Sequence, residues 1–485
     1  MSFNSIDFLI FLPVVLFLYY LLPVKFRNIW LLLSSYYFYM CWNVKYVLLI
    51  LFITAVSYVS GRLLELRRHK RGILLTCTFT IILILLYFKY FNFLLENITA
   101  FLSIYSIQVN LPQTDVLLPV GISFYTFQAL GYVIDVYRGD TYAEKNFLKY
   151  ALFISFFPQL VAGPIERSKN LLKQLARPQK FLFKNLYDGL YIMLWGFFLK
   201  MVLSDRIAIY VDNVYGDYDT YPGFFLVVAT FLFAFQIYCD FAGYSIIAMG
   251  AAKMLGIKLM ENFNAPYLSR SVSEFWRKWH ISLSSWLKDY IYIPLGGNRR
   301  GKFRQNLNLI ITFGVSGIWH GASWGYLIWG VLNGAYQIVG RQLAPLREKV
   351  IRKIPLNGIL HKVLGVLITF LLVDFSWIFF RAPQLKDAVQ IMKSIFTVWN
   401  PWIVFDGSLY TCGLDAKNFG LMILGMTVLF FVDLAKHYGI NVSCILKRQN
   451  WLLQTILIPF MIIFIVIFGI WGDSYNAAEF IYFQF

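Results

Sequence analysis

The stretch FLFAFQIYCDFAGYSIIAMGAAKMLGI at 231–257 decides how this chain is to be read. It is long and apolar enough to cross a hydrocarbon layer roughly 30 Å thick, yet Gln236, Asp240 and Ser245 lie inside it. Gln236 and Asp240 are four residues apart and therefore share a face of a helix. A carboxylate in mid-span is costly, so Asp240 must either serve a function or pack against a polar partner. No basic residue occurs within a helical turn of it, and the local sequence leaves both readings open.

Apolar runs of this kind recur along the whole chain. The 485 residues are 59% hydrophobic and 19% aromatic but only 14% charged, outside the range of soluble domains. The chain therefore reads as an all-α polytopic membrane protein with about 11 crossings, the shorter runs tilted, re-entrant or interfacial. Basic residues cluster near 62–71, 167–184, 270–304 and 341–353, which places those segments in the cytoplasm. The neutral or acidic segments at 211–223 and 406–415, and the tail 473–485, then fall outside. The formal charge of +18 follows this topology and forms no face, finger or stacking platform, which argues against nucleic acid. Membrane lipid headgroups and an anionic cytosolic ligand suit it better.

The first residues lack a basic stretch and a small-residue cleavage site, so the first apolar run reads as a retained anchor. Five scattered cysteines show no CxxC spacing, which predicts neither structural disulfides nor a thiolate metal site. Cys412 alone is expected where oxidation is easy.

Polar sequence collects in a few places. In LLPVGISFYTFQALGYVIDVYRG (117–139), Gln128 and Asp135 need hydrogen-bond partners if buried, and interhelical packing is the plain reading of Gln128. FFPQLVAGPIERSKNL (156–171) places two prolines and a glycine at the end of a span, either as a helix break, which at membrane depth is tolerated where it lines a cavity, or as an ordinary loop entry. Between 261 and 304, Trp276, Trp279, Leu283 and Trp286 follow one helical stripe, with Arg277, His280 and Ser284 on another. That spacing predicts an amphipathic helix at the headgroups. PLGGNRRGK (294–302) adds adjacent glycines beside basic residues, where phosphate could dock; lipid headgroup contact competes with that reading.

Two of the five histidines are the candidates for chemistry, a structural hydrogen-bonding role being the competing reading of His320. His69, His361 and His437 lie in or beside basic stretches expected to be solvated loops. His280 in EFWRKWHISLSSW and His320 in GVSGIWHGASWG instead lie within the apolar scaffold. Small residues surround His320, and a desolvated imidazole there stays neutral and able to accept a proton. The closing FIYFQF (480–485) is too aromatic for a tail in water and is expected to fold back on the protein or membrane. GxSxG and HExxH are both absent.

Taken in order, LPVGISFYTFQALGYVIDVYRG, FPQLVAGPI, QIYCDFAGYSIIAMG, NFNAPYLSRSVSEFWRKWHISLSSWLKDYIYIPLGGNR, GIWHGASW and DFSWIFFRA (374–382) resemble the membrane-bound O-acyltransferase superfamily, in the branch of the alginate O-acetylation membrane protein. The likeness implies a single transmembrane domain over 1–472 with its motif core at 117–382. It implies a ring of about 11 tilted helices, with re-entrant or interfacial ones, around a central tunnel. It makes His320 the catalytic base, with His280 assisting, and Tyr482 in the tail 473–485 an acyl acceptor or relay. Gln128, Gln236 and Asp240 become cavity candidates.

The same likeness implies no tightly bound cofactor and no metal. The donor would be acetyl-CoA, its phosphates met by Arg277, Lys278, Arg299 and Arg300, or else a protein-bound thioester. The acceptor would be an extracellular or cell-wall polysaccharide, reached through an extracytoplasmic partner of the SGNH-hydrolase-like kind, at a bacterial cell membrane. The competing class is a transporter that exports an acyl carrier or small anion without acyl-transfer chemistry, supported by Asp240 and the glycine and proline breaks. Against it, neither WRKWH nor WHG recurs in the other half of the chain.

Overall fold

Residues 1–66, 69–107, 118–161, 163–353, 358–440, 442–447, 449, 451–471 and 480–481 are described by the computed structural model, and they contain helices and no strand. Five of these helices have both the length and the apolar composition to cross a membrane: Tyr46–Leu66, Lys70–Ile104, Phe224–Met254, Gly358–Arg381 and Ala416–His437. Ile6–Leu21 is apolar but shorter. Gly301–His320 has the length but carries Arg304, Gln305, Asn306 and Asn308 in its first half. The chain is thus a multi-pass membrane protein built of helices of mixed length.

Two compact units divide it. The first comprises Met1–Leu190 with Ala248–Met260. Within it the helix break, one of the two readings of 156–171, is present: Phe147–Ser155 stops at Phe156, and the four-residue helix Phe157–Leu160 follows. Breaking a helix strands a carbonyl, and here the Phe153 oxygen accepts from Gln128 Nε2 at 2.6 Å and from Gln159 Nε2 at 2.8 Å. Gln159 also donates to Gln128 Oε1 at 3.1 Å. Asp135 accepts from Ser168 Oγ at 3.2 Å. Beyond the break, Glu166 is buried and accepts from the Met260 amide at 2.6 Å and from Asn170 Nδ2 at 2.7 Å.

The second unit comprises Tyr191–Ile247 and Glu261–Ile481. Its central feature is the helix pair Gly301–His320 and Trp324–Gln342. The two cross closely because glycine meets backbone: a Cβ on Gly317 would lie 2.2 Å from the Tyr326 carbonyl oxygen, and one on Gly330 2.2 Å from that of Phe313. Small residues at such crossings let helices pack without a hydrophobic driving force.

Three expectations are corrected here. The stripe through 272–287 is not one helix but two, Val272–Lys278 and Ile281–Leu287, with His280 left-handed at φ +43° between them. The tryptophan spacing survives the break because both pieces still face the core, where Trp276, Trp279, Leu283 and Trp286 are buried. Cys412 is fully buried beside the short helix Ser408–Thr411, so it is not an easy target for oxidation. His361 and His437 lie on helices, within Gly358–Arg381 and at the end of Ala416–His437, and not in loops.

Candidate active site

The turn at His280 is made by a residue outside it. The Asn262 carbonyl accepts from the Ile281 amide at 2.9 Å, and Asn262 Oδ1 accepts from the Ser282 amide at 3.2 Å. These are amides that the interrupted helix would otherwise leave unmet. Asn262 Nδ2 in turn donates to Ser245 Oγ at 3.2 Å, so the polar Ser245 inside the 231–257 run serves this turn. The imidazole of His280 is fully buried, edge-on to Phe241 at 4.6 Å and 5.9 Å from the Trp319 ring. His280 lies outside the five span-length helices, and burial, with a contribution from His320, lowers its pKa well below the ordinary imidazole value.

His320 closes its helix, 2% exposed, with its Nδ1 2.6 Å from the Ser316 carbonyl oxygen one turn back. A carbonyl can only accept, so the proton sits on Nδ1 and the Nε2 atom carries the lone pair. The walls are aromatic: Trp319 at 4.9 Å, Trp329 at 4.8 Å and Phe380 at 5.6 Å. Trp276 packs on Trp329 at 5.5 Å and is tied in turn by polar bonds. Trp276 Nε1 donates to Asn333 Oδ1 at 3.2 Å, and Asn333 Nδ2 donates to Ser376 Oγ at 3.2 Å. Ser376, Trp377 and Phe380 come from the DFSWIFFRA segment, which thereby packs against the histidine hairpin.

A cavity of about 610 Å³ opens beside this arrangement, with Ser316, Thr312 and Phe313 of the His320 helix in its wall. Ser284, Ser285 and Gln337 line it as well, and the exposed side chains of Arg277, Lys288 and Arg341 are its basic members. The wall residue Ser316 is the one whose carbonyl holds His320, which links the cavity to the imidazole within a single helical turn.

The sequence-derived candidates distribute unevenly over this geometry. His280 and His320 are both joined to Trp319, and Arg277 lines the cavity. Lys278 instead pairs with Glu274 at 2.8 Å, and Arg299 and Arg300 are exposed in the turn before Gly301–His320, outside the cavity wall. Gln128 bridges the helix break of the first unit. Tyr482 lies outside the described residues.

Asp240 and Gln236 lie in the second unit. Asp240 is 1% exposed and is paired with Lys200. Gln236 accepts from Ser204 Oγ through its main-chain oxygen at 3.1 Å. Lys200, Lys288, Arg341 and Asn262 were not singled out from sequence. Lys288 and Arg341 belong to basic clusters whose sidedness is legible but whose aim is not. Lys200 is a lone cation in an apolar run, and that was the available signal. No cluster of metal-ligating side chains occurs among the described residues.

Residues 142–372 match the membrane-bound O-acyltransferase family. The probable alginate O-acetylase AlgI of Pseudomonas aeruginosa is 38% identical over 445 residues, covering 90% of this chain and 82% of that protein. The chain belongs to the membrane-bound O-acyltransferase family.

A peptidoglycan O-acetyltransferase of Helicobacter pylori is 34% identical, over 79% of this chain and 77% of its own length. A teichoic acid D-alanyltransferase of Streptococcus thermophilus is 31% identical over 54% and 68%. This membrane-bound O-acyltransferase is accordingly an enzyme of acyl transfer in a bacterial membrane. The transporter alternative, which lacked any acyl chemistry, falls away.

Proposed function

We propose that this acyltransferase takes an acetyl group from cytoplasmic acetyl-CoA and passes it across the membrane for O-acetylation of an extracellular or cell-wall polysaccharide, with Tyr482 as the ester-carrying relay. The observation that carries the reading is His320: its Nδ1–H is held by the carbonyl of Ser316, so Nε2 is the basic atom, and Ser316 itself lines a cavity with three cationic residues. The named substrates of the relatives, alginate, peptidoglycan and teichoic acid, support an acceptor on the outer side.

In the step so assigned, Nε2 takes the proton of the attacking hydroxyl as its oxygen bonds to the acyl carbon. The carbon–sulfur bond breaks, and the departing thiolate recovers that proton from the imidazolium. Aromatic walls exclude water, which would otherwise compete for the acyl group. His280 shares Trp319 with His320 and would orient the donor or leaving group. Arg277, with Lys288 and Arg341, would meet the phosphates of CoA, and Lys278, Arg299 and Arg300 would extend that basic surface. A tyrosyl ester suits a relay because a phenol leaves more readily than an alkyl alcohol. An extracytoplasmic partner of the SGNH-hydrolase-like kind would complete transfer to sugar. The reading carries a single domain over 1–472 built as a ring of about 11 helices around a tunnel, with the tail 473–485 outside.

Intact and peptide mass spectrometry after incubation with labelled acetyl-CoA tests this. An alkali-labile acetyl group on Tyr482, absent in His320→Ala, is the expected result. A polysaccharide labelled by protein that never carries an acetyl group would replace the relay with direct transfer.

A further inference from the structure

The buried ion pair at Asp240 has a third participant that the acyl-transfer step does not use. Asp240 Oδ1 lies 2.6 Å from Lys200 Nζ, while Oδ2 accepts from the main-chain amide of Ile481 at 2.8 Å. Lys200 also pairs with Asp205 at 2.8 Å, and all three side chains are at most 4% exposed. Phe480, 1% exposed, packs on Tyr244 at 4.6 Å and on Phe241 at 6.1 Å, and Phe241 is the ring that touches His280. The carboxylate that is hardest to explain in mid-span therefore holds Ile481, with Phe480 packed beside the histidine turn.

The same short segment also holds the chain where it departs. Lys200 belongs to the π-helical run Phe198–Ser204. The Met201 carbonyl of that run accepts from the Ile470 amide at 3.0 Å, and Arg206 Nη2, just beyond the run, donates to the Phe468 carbonyl at 2.8 Å. Both anchor points, at 468–470 and at 480–481, thus trace back to residues 200–206. A π-helical turn between two α-helical pieces, here Phe183–Phe197 and Asp205–Gly216, is an uncommon geometry that is frequent at functional sites.

We infer that Asp240, fixed by Lys200, is a positioning residue that seats the C-terminal segment, so that Tyr482, the next residue after Ile481, is presented for acylation. This rests on the reading of Tyr482 as the relay. The physical basis is geometric: Oδ1 of Asp240 is taken by Lys200 Nζ and Oδ2 by the Ile481 amide, in a site closed to water, where such hydrogen bonds are strong. An amide in its place would turn an NH2 group toward one of these two donors and seat the segment loosely.

Hydrogen exchange of the C-terminal peptide, measured on the full chain in lipid nanodiscs, tests the seat, and acetyl transfer from acetyl-CoA measured in parallel tests its consequence. Asp240→Asn weakens the socket, whereas Phe480→Ala weakens the segment and leaves the buried ion pairs intact. Both are expected to speed exchange at Ile481 at least tenfold and to lower the transfer rate at saturating donor, with the donor KM unchanged. Unchanged exchange in a folded Phe480→Ala protein overturns the seat. Faster exchange with full transfer overturns the positioning role. Tyr482→Phe separates the two ideas: full transfer in that variant removes the relay, while wild-type exchange in it with transfer abolished supports both.

Discussion

Lys200 Nζ stands 2.6 Å from Asp240 Oδ1 and 2.8 Å from Asp205 Oδ1, a cation shared by two buried carboxylates. Removing one member of a buried pair strands the charge that remains, typically at a cost of about 3–5 kcal/mol. Lys200→Met is therefore expected to lower the thermal midpoint of the purified protein sharply. Lys200→Met/Asp240→Asn, which also removes one of the stranded charges, should recover part of the loss. A thermal-melt double-mutant cycle with no coupling between the two sites would contradict this account.

The turn at His280 depends on Asn262. Asn262→Ala removes the side-chain acceptor of the Ser282 amide and the donor to Ser245, while the main-chain bond to Ile281 can persist. The expected cost is about 1–2 kcal/mol in stability. A larger effect is expected on transfer rate, because the imidazole loses its fixed direction. Asn262→Asp keeps the acceptor and should restore more activity than Asn262→Ala; steady-state rates for the two variants decide it.

Three basic side chains at the cavity should act on donor binding and not on chemistry. Replacing Arg277, Lys288 or Arg341 by Gln should raise the acetyl-CoA KM about fivefold each, as about 1 kcal/mol for a solvent-screened contact implies, with little change in turnover. Raising salt should erase part of the difference. Lys278→Gln should have less effect, since that ammonium is already paired with Glu274. Donor titrations at two ionic strengths provide the check.

Glu166 carries a pH signature. Burial raises its carboxyl to about 6, against the opposing bonds from Met260, Asn170 and Arg167. The unfolded carboxyl is the stronger acid, so the folded state binds more protons between about 4.5 and 6. The stabilising contribution is present below that window and is lost as pH rises through it, by about 2 kcal/mol. Thermal melts between pH 4.5 and 7 should show that slope in the wild type, and Glu166→Gln should flatten it.

What the sequence alone determined was what local sums can determine. Hydropathy adds over neighbouring residues, so membrane character and helical class were legible, as were the end of a span within 156–171 and the anomaly of Asp240. Motif order was legible too, and with it the family and the pair His280 and His320. The tertiary structure alone decided which groups meet. Asp240 finds its counter-charge 40 positions away on Lys200 and a further donor 241 positions away on Ile481. Helical spacing in WRKWHISLSSW predicted one continuous helix, because period carries no information about Asn262 arriving from outside to take over the amides of Ile281 and Ser282. Lys288 and Arg341 reach the same cavity from different elements, whereas Lys278, one residue from Arg277, turns away to Glu274. Pairing between distant residues is set by how helices cross, and at the histidine hairpin that crossing is permitted by Gly317 and Gly330, whose missing side chains leave room for backbone.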